Sequence, residues 1–395
     1  MFDHVVLRRA YGGHPISAGQ IAEALLFYQK VHLVIDRGTL LGLVKQIGMP
    51  QLLTLLQRQD FSAVYCEEML GTSTDNVGAF QIHNFVTFTL SGDKTAGELK
   101  SADDRFRFEL ELAEVPKAEA RRFTKAFLDR VPVRRLSGNH FITGGIIEAA
   151  KRDVLDADYT KEAVRQVLQV IPGGYTTGSD LKFDVIDSNV GIHVFTNVDF
   201  EAINRRRVAG TPPDDPLTPA HLLSSILEAR ADLALASFYG GDFMTSASAS
   251  AIIKVRYAEL LRRSALNTAS LQQFAEVMLP DAKAVAEVID SGERTFPEFL
   301  VLLDKASRFK NWTKAINPDE NLVRTYMRDI SSEGWIQKLP QKSMRYAFTL
   351  ALDASNPVAG MIAGFVDNFV LEKLLSGWRP NHFIGTRLQP FVTPR

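Results

Sequence analysis

Cysteine is nearly absent from this sequence, and its scarcity already excludes some kinds of structure. The single residue, Cys66, excludes a disulfide within the chain and a metal site built from several thiolates. The first residues show no apolar segment behind a basic start, so we find no secretory signal and expect a cytoplasmic protein. The formal net charge is only -1, so no overall field attracts the chain to nucleic acid or to an anionic membrane.

Sequence signatures of catalysis and of nucleotide binding are also missing. The chain contains neither GxGxxG after a predicted strand nor GxxxxGK[ST], the glycine-rich loops that hold phosphate groups. It lacks HExxH and GxSxG, and its eight histidines form no close pair at metal-ligand spacing. These absences favour a non-catalytic interaction or regulatory protein. We expect its partner to be another protein, and we also consider a homo-oligomer.

The pattern of apolar residues predicts an α+β fold that begins with a mixed sheet. Residues 31–35 and 61–66 are rich in β-formers, and residues 40–57 between them have a helical pattern that Gly48 and Pro50 interrupt. A strand, a helix and a strand within about forty residues predict a βαβ unit with parallel strands and a right-handed crossover.

Further strands are predicted after this unit. Residues 80–90 form a long strand whose apolar phase shifts near Asn84, which indicates a bulge. Residues 105–112 alternate between apolar and charged side chains and predict a half-buried strand, although their Glu and Leu content also suits a helix. Residues 181–186 and 192–195 are typical of an antiparallel hairpin.

Composition divides the chain into three predicted regions. These are an α/β domain with a mixed sheet at 1–135, an intermediate α+β region with a β-hairpin at 136–210, and a helical domain at 217–395. The proline- and acid-rich stretch at 210–216 is the clearest linker between them. From residue 218 onward the patterns are helical, and we expect a compact bundle of helices there.

The most apolar stretch, residues 344–378, predicts two helices joined at a Ser-Asn-Pro turn. Gly360 and Gly364 have the GxxxG spacing that allows close helix packing in lipid or in water. A membrane-active effector that uses this hairpin is therefore one hypothesis. A spanning helix needs roughly 20 predominantly apolar residues, and Asp367 and Glu372 interrupt the second helix. We favour a hairpin buried at the centre of a helical domain over membrane insertion.

Carboxylates follow both strands of the predicted βαβ unit. Asp36 comes directly after the first strand, Glu67 and Glu68 come after the second, and Asp75 lies in a polar loop farther on. Ligands of open α/β sheets bind beyond the carboxyl ends of parallel strands, so these are candidate catalytic and metal-binding residues. Clustered carboxylates hold Mg²⁺ or act as an acid/base pair, which gives the alternative hypothesis of a metal-dependent hydrolase of phosphoesters. Charged residues also end strands simply because they reach solvent.

Cys66 and His140 are the remaining catalytic candidates. A cysteine nucleophile needs a basic partner, and no local signature supplies one, so a core position is the favoured interpretation of Cys66. His140 lies in a turn-like run, where a solvated loop histidine is the simpler interpretation. Arginine clusters such as Arg134-Arg135 and 205–207 give only weak support for nucleic acid, because none has interleaved aromatic residues for base stacking.

Overall fold

The computed structural model describes most of the chain up to residue 255 and a second block at 283–315. The described residues are 4–9, 13–78, 80–89, 99, 101–171, 174–178, 180–207, 216–240, 242–244, 248–249, 251–253, 255, 283–315, 387 and 391. The strands are β1 (His4–Arg8), β2 (Lys30–Ile35), β3 (Phe61–Cys66), β4 (Glu68–Val77), β5 (Phe80–Thr89), β6 (Val133–Arg134), β7 (Phe183–Ser188), β8 (Gly191–Thr196) and β9 (Asp242–Met244). The helices are α1 (Ala18–Phe27), α2 (Arg37–Leu55), α3 (Ala102–Leu112), α4 (Lys117–Leu128), α5 (Ile146–Leu155), α6 (Ala157–Val170), α7 (Phe200–Arg207), α8 (Pro219–Tyr239), α9 (Lys283–Asp290), α10 (Phe296–Asp304) and α11 (Ser307–Ala315).

The predicted βαβ unit is present at the centre of the fold. β2 and β3 are parallel, with Val31 opposite Phe61 and Ile35 opposite Tyr65, and α2 connects them. The predicted interruption of this helix is confirmed, because Gly48 has a φ of 78° and a ψ of 157°, which are not helical angles.

This unit belongs to a five-stranded parallel sheet with the order β6-β3-β2-β1-β9. The outer strand β9 follows the predicted linker, where the sequence predicts only helices, and it pairs with β1 from Val5–Asp242 to Leu7–Met244. A strand of three residues is too short to show an alternating pattern, which explains why it is missed. Strands β2, β3 and β6 lie on one side of β1, whereas β9 lies on its other side. The strand order therefore reverses at β1, which marks a topological switch point.

A separate antiparallel sheet has the order β4-β5-β8-β7. β4 and β5 pair without interruption from Glu68–Thr89 to Val77–Phe80, so the bulge predicted near Asn84 is wrong. The polar stretch predicted as a loop is the body of β4 instead. The β7–β8 hairpin is confirmed. The α+β prediction is also confirmed, with the parallel and antiparallel strands sorted into two sheets.

The strand prediction for residues 105–112 is wrong, because this segment lies in helix α3. Phe106, Glu109 and Leu110 are its buried residues, at the i, i+3 and i+4 spacing of one helical face. A strand would have buried Leu112 on the same side as Leu110, but 57% of Leu112 is exposed. The competing helical interpretation of the Glu and Leu content was therefore the correct one.

The parallel sheet has a hydrophobic core on each face. Leu7 and Leu33 belong to the core that α1, α2, α9 and α10 cover. Val6 and Val34, which alternate with them, belong to a second core that includes α5, α6, α8 and the inner face of the antiparallel sheet. Since α8 contacts both β1 and β4, it lies between the two sheets and fixes their separation.

The later part of the chain is only partly described. The predicted helix at 219–238 is confirmed as α8. The apolar hairpin at 344–378 lies outside the described residues, and the predicted domain boundaries stay a prediction. Of the helices that the structure describes, none is both long enough and apolar enough to cross a membrane.

Candidate functional site

The carboxyl ends of three parallel strands meet at one edge of the sheet and border a cleft. Arg8 ends β1, Asp36 follows β2 and Cys66 ends β3, and all three line the cleft. Glu68, the first residue of β4, lines the cleft too. The fold thus brings Asp36, Cys66 and Glu68 together beside the switch point, where open α/β sheets bind ligands.

The carboxylate of Asp36 has a clear structural task in this cleft. Asp36 is the N-cap of α2, and its Oδ1 accepts a hydrogen bond from the Thr39 N–H at 2.7 Å. Its Oδ2 lies 3.4 Å from Arg9 Nη1, which offsets its charge. Its position therefore follows from helix capping and ion pairing.

Glu67 and Glu68 point in different directions, as successive residues of an extended chain do. Glu67 accepts hydrogen bonds from the Arg105 guanidinium, the shortest of them at 2.9 Å. Glu68 accepts from the N–H and the Oγ of Ser137, each at 2.9 Å. Asp75 is an exposed residue of β4 and does not line the cleft. In the described part of the chain, no three His, Cys, Asp or Glu side chains are grouped so that they could hold a metal ion.

Cys66 and His140 occupy very different surroundings. Cys66 is 1% exposed, and burial, followed by the charge of Glu68, raises the pKa of its thiol to about 12. Since the thiolate is the reactive form of cysteine, this environment favours a packed, protonated side chain. His140 is an exposed residue of the loop after β6, and its Nε2 accepts a hydrogen bond from Arg134 Nε at 3.2 Å.

The amino end of α1, a common phosphate-binding position in open α/β folds, holds a carboxylate of the same chain. Asp290, the last residue of α9, accepts a hydrogen bond from the Gly19 N–H at 2.9 Å and another from Ser17 Oγ. The two helices touch closely here, because a Cβ on Gly19 would lie 2.3 Å from the carbonyl oxygen of Ala286. Nothing in the sequence pattern pointed to this contact, which joins residues 271 positions apart.

The inner face of the antiparallel sheet packs against helices. Phe85, Phe183 and Ile192 lie in the core that contains α8. The pairing of His83 with Ile192 joins β5 to β8 and shows which alternate positions of these strands share the inner face. The remaining positions of these strands face away from the helices.

The outward face of this sheet exposes a group of large apolar side chains. Val77 and Phe80 lie directly opposite each other on β4 and β5, and their exposed fractions are 56% and 60%. Ile186 on β7 and Phe195 on β8 alternate to the same side and are 54% and 47% exposed. We call these four residues the outer-face patch. The apolar residues of these strands were visible in the sequence, but which of them face solvent depends on the pairing register.

Comparison with known proteins adds no assignment, because no family model, curated protein or solved structure matches the chain. Asp36, Glu67 and Glu68 make internal contacts that hold the fold. The outer-face patch presents apolar surface to solvent.

Proposed function

We propose that this protein is an interaction or regulatory protein that binds a protein partner through the outer-face patch. Four large apolar side chains are exposed on one side of one sheet, and this exposure supports the proposal. Exposed apolar side chains that gather on one face of a protein mark interaction surfaces, whereas apolar side chains scattered singly do not. Phenylalanine is also among the residues enriched in protein–protein interfaces.

Charges beside the patch indicate the chemistry of the partner. Asp75 and Asp184 lie on the outward face, and none of the described residues on that face is lysine or arginine. Lys161 of α6 already approaches Asp184, with Nζ 3.3 Å from Oδ1. We therefore propose a partner segment that inserts apolar side chains over Phe80 and carries a basic group near Asp75.

The carboxylates predicted as catalytic or metal-binding residues make contacts within the chain, so the outer-face patch is the better candidate for a binding site. Asp36 caps a helix, Glu67 holds Arg105, and Glu68 holds Ser137. For the location of the protein we propose the cytoplasm, where a single buried thiol such as that of Cys66 stays reduced.

Affinity capture from a lysate of the native host tests this proposal. The bait is the full chain, and the test variant combines Phe80→Ser with Phe195→Ser. The control combines Leu112→Ser with Val301→Ser, since these side chains are 57% and 55% exposed outside the patch. We expect quantitative mass spectrometry to find a protein that the wild type and the control capture and the test variant loses.

Sedimentation velocity on the same variants identifies a second copy of the chain as the partner. A wild-type dimer that the Phe80→Ser, Phe195→Ser variant no longer forms would assign the patch to self-association. If the test variant keeps every partner and the same oligomeric state as the wild type, the patch is not a binding surface and the proposal fails.

A further inference from the structure

A second surface combines two exposed guanidinium groups at the edge of the parallel sheet. Arg134 ends β6, Arg135 follows it, and both are exposed. Within the described residues, neither guanidinium forms an ion pair with a carboxylate. Four other arginines on or beside this sheet are paired with carboxylates: Arg8 with Asp232, Arg9 with Asp36, Arg37 with Glu109, and Arg105 with Glu67. The charge of the two exposed arginines is thus left for solvent or for a ligand.

The ring of His140 contacts Arg134, and the ring of Phe238, from a distant part of the chain, packs against His140. The rings of His140 and Phe238 are 4.7 Å apart between centroids, and Phe238, in the last turn of α8, is 45% exposed. Arg134 Nε donates its hydrogen bond to the same His140 ring. We call Arg134, His140 and Phe238, together with the exposed Arg135 that follows Arg134 in the chain, the basic aromatic surface.

The loop that carries His140 is held in place from below. Glu68 accepts the two hydrogen bonds from Ser137, three residues before His140. Phe141 is only 7% exposed, and its ring packs edge-on against Phe238 with 5.3 Å between centroids. The surface is therefore pre-organised, which lowers the entropy cost of binding a ligand there.

We propose that the basic aromatic surface binds nucleotides. The base stacks against the exposed rings of Phe238 and His140, and the phosphate accepts charge-assisted hydrogen bonds from Arg134 and Arg135. Stacking tolerates any base, so the surface suits either a free nucleotide or one residue of a single strand. This proposal does not depend on the outer-face patch. The fold brings Phe238 of α8 against the ring of His140, which accepts a hydrogen bond from Arg134.

Fluorescence anisotropy with fluorescein-labelled oligothymidylate at low salt tests the proposal on the full chain. Phe238→Leu keeps an apolar side chain but removes the stacking ring, and it should weaken binding about 5- to 150-fold. The double variant Arg134→Ala, Arg135→Ala removes two phosphate contacts. The plot of log affinity against log salt should then become shallower by about 1.4, at about 0.7 per contact.

The matched control is Arg121→Ala with Arg122→Ala, an exposed arginine pair on α4 whose neighbouring ring, Phe123, is buried. It should bind like the wild type, and circular dichroism should show all variants folded. Displacement of the oligothymidylate by unlabelled ATP supports a free nucleotide as the ligand, and resistance to displacement supports a single strand. Failure of the wild type to bind overturns the proposal. So does unchanged affinity of Phe238→Leu or an equal loss in the control.

Discussion

Replacing Glu23 with glutamine should stabilise this protein at neutral pH. Glu23 lies on α1 and is only 9% exposed. Burial, and then the negative charge of Asp290, raises the pKa of Glu23 from 4.5 to about 9. At pH 7 its carboxyl group is therefore protonated in the folded protein and ionised in the unfolded chain.

The size of the effect follows from that difference. Folding at pH 7 requires Glu23 to take up a proton although its unfolded pKa is 4.5. About 2.5 pH units at about 1.4 kcal/mol per unit correspond to about 3.5 kcal/mol of unfolding free energy. Protonated Glu23 makes its full contribution to the unfolding free energy below pH 4.5. This contribution is lost as the pH rises toward the folded-state pKa of about 9. Glutamine keeps the shape of the side chain without titrating, so Glu23→Gln should gain up to about 3.5 kcal/mol of unfolding free energy at pH 7.

Urea unfolding followed by circular dichroism, at several pH values between about 5 and about 8, measures this gain. The gap between Glu23→Gln and the wild type should be small near pH 5 and widen steadily toward pH 8. Glu114→Gln, which changes an exposed carboxylate, is the control and should shift stability by no more than about 0.5 kcal/mol. A gap that is absent at pH 7, or that does not depend on pH, would refute the reasoning.

Three further predictions concern the contacts that hold the two cores. Arg8→Met leaves the buried carboxylate of Asp232 without its 2.8 Å partner and should cost about 3–5 kcal/mol in urea unfolding; a loss below about 1 kcal/mol would show that the pair is not needed. Gly19→Ala forces α9 away from α1 at Ala286, so the unfolding free energy should fall by about 1–3 kcal/mol. Limited proteolysis near residue 283 should become faster, and an unchanged cleavage rate would contradict the close contact. The thiol of Cys66, with a pKa of about 12, should resist a disulfide reagent in the native protein and react in denaturant, and rapid native labelling would contradict its burial.

Long, regular elements of this fold could be predicted from the sequence. The β2–α2–β3 unit was visible because two β-rich runs flank a helical pattern, and its parallel pairing follows from that connection. The same logic placed Asp36 and Glu68 at one edge of the sheet, and both do line the cleft. The sequence could not show that Glu67 points away to Arg105, because the direction depends on where β3 ends.

The features that could not be predicted from the sequence depend on contacts between distant segments of the chain. β9 is three residues long and is a strand only because β1 offers its edge. The pairing of Asp290 with the start of α1 joins two ends of the described chain and leaves no local pattern. Phe238 and Arg134 are separated by more than a hundred positions in the sequence. Only the fold brings this aromatic side chain of α8 to the His140 ring that Arg134 contacts.

Site-specific photo-crosslinking in the native host tests the central claim most directly. A benzoyl-substituted phenylalanine placed at Phe80 keeps an aromatic ring in the outer-face patch, and the same residue placed at Leu112 probes an equally exposed position elsewhere. We predict one recurrent protein adduct from position 80 that position 112 does not form. Identical adducts from the two positions, or none from position 80, would contradict the assignment of this sheet face to partner binding.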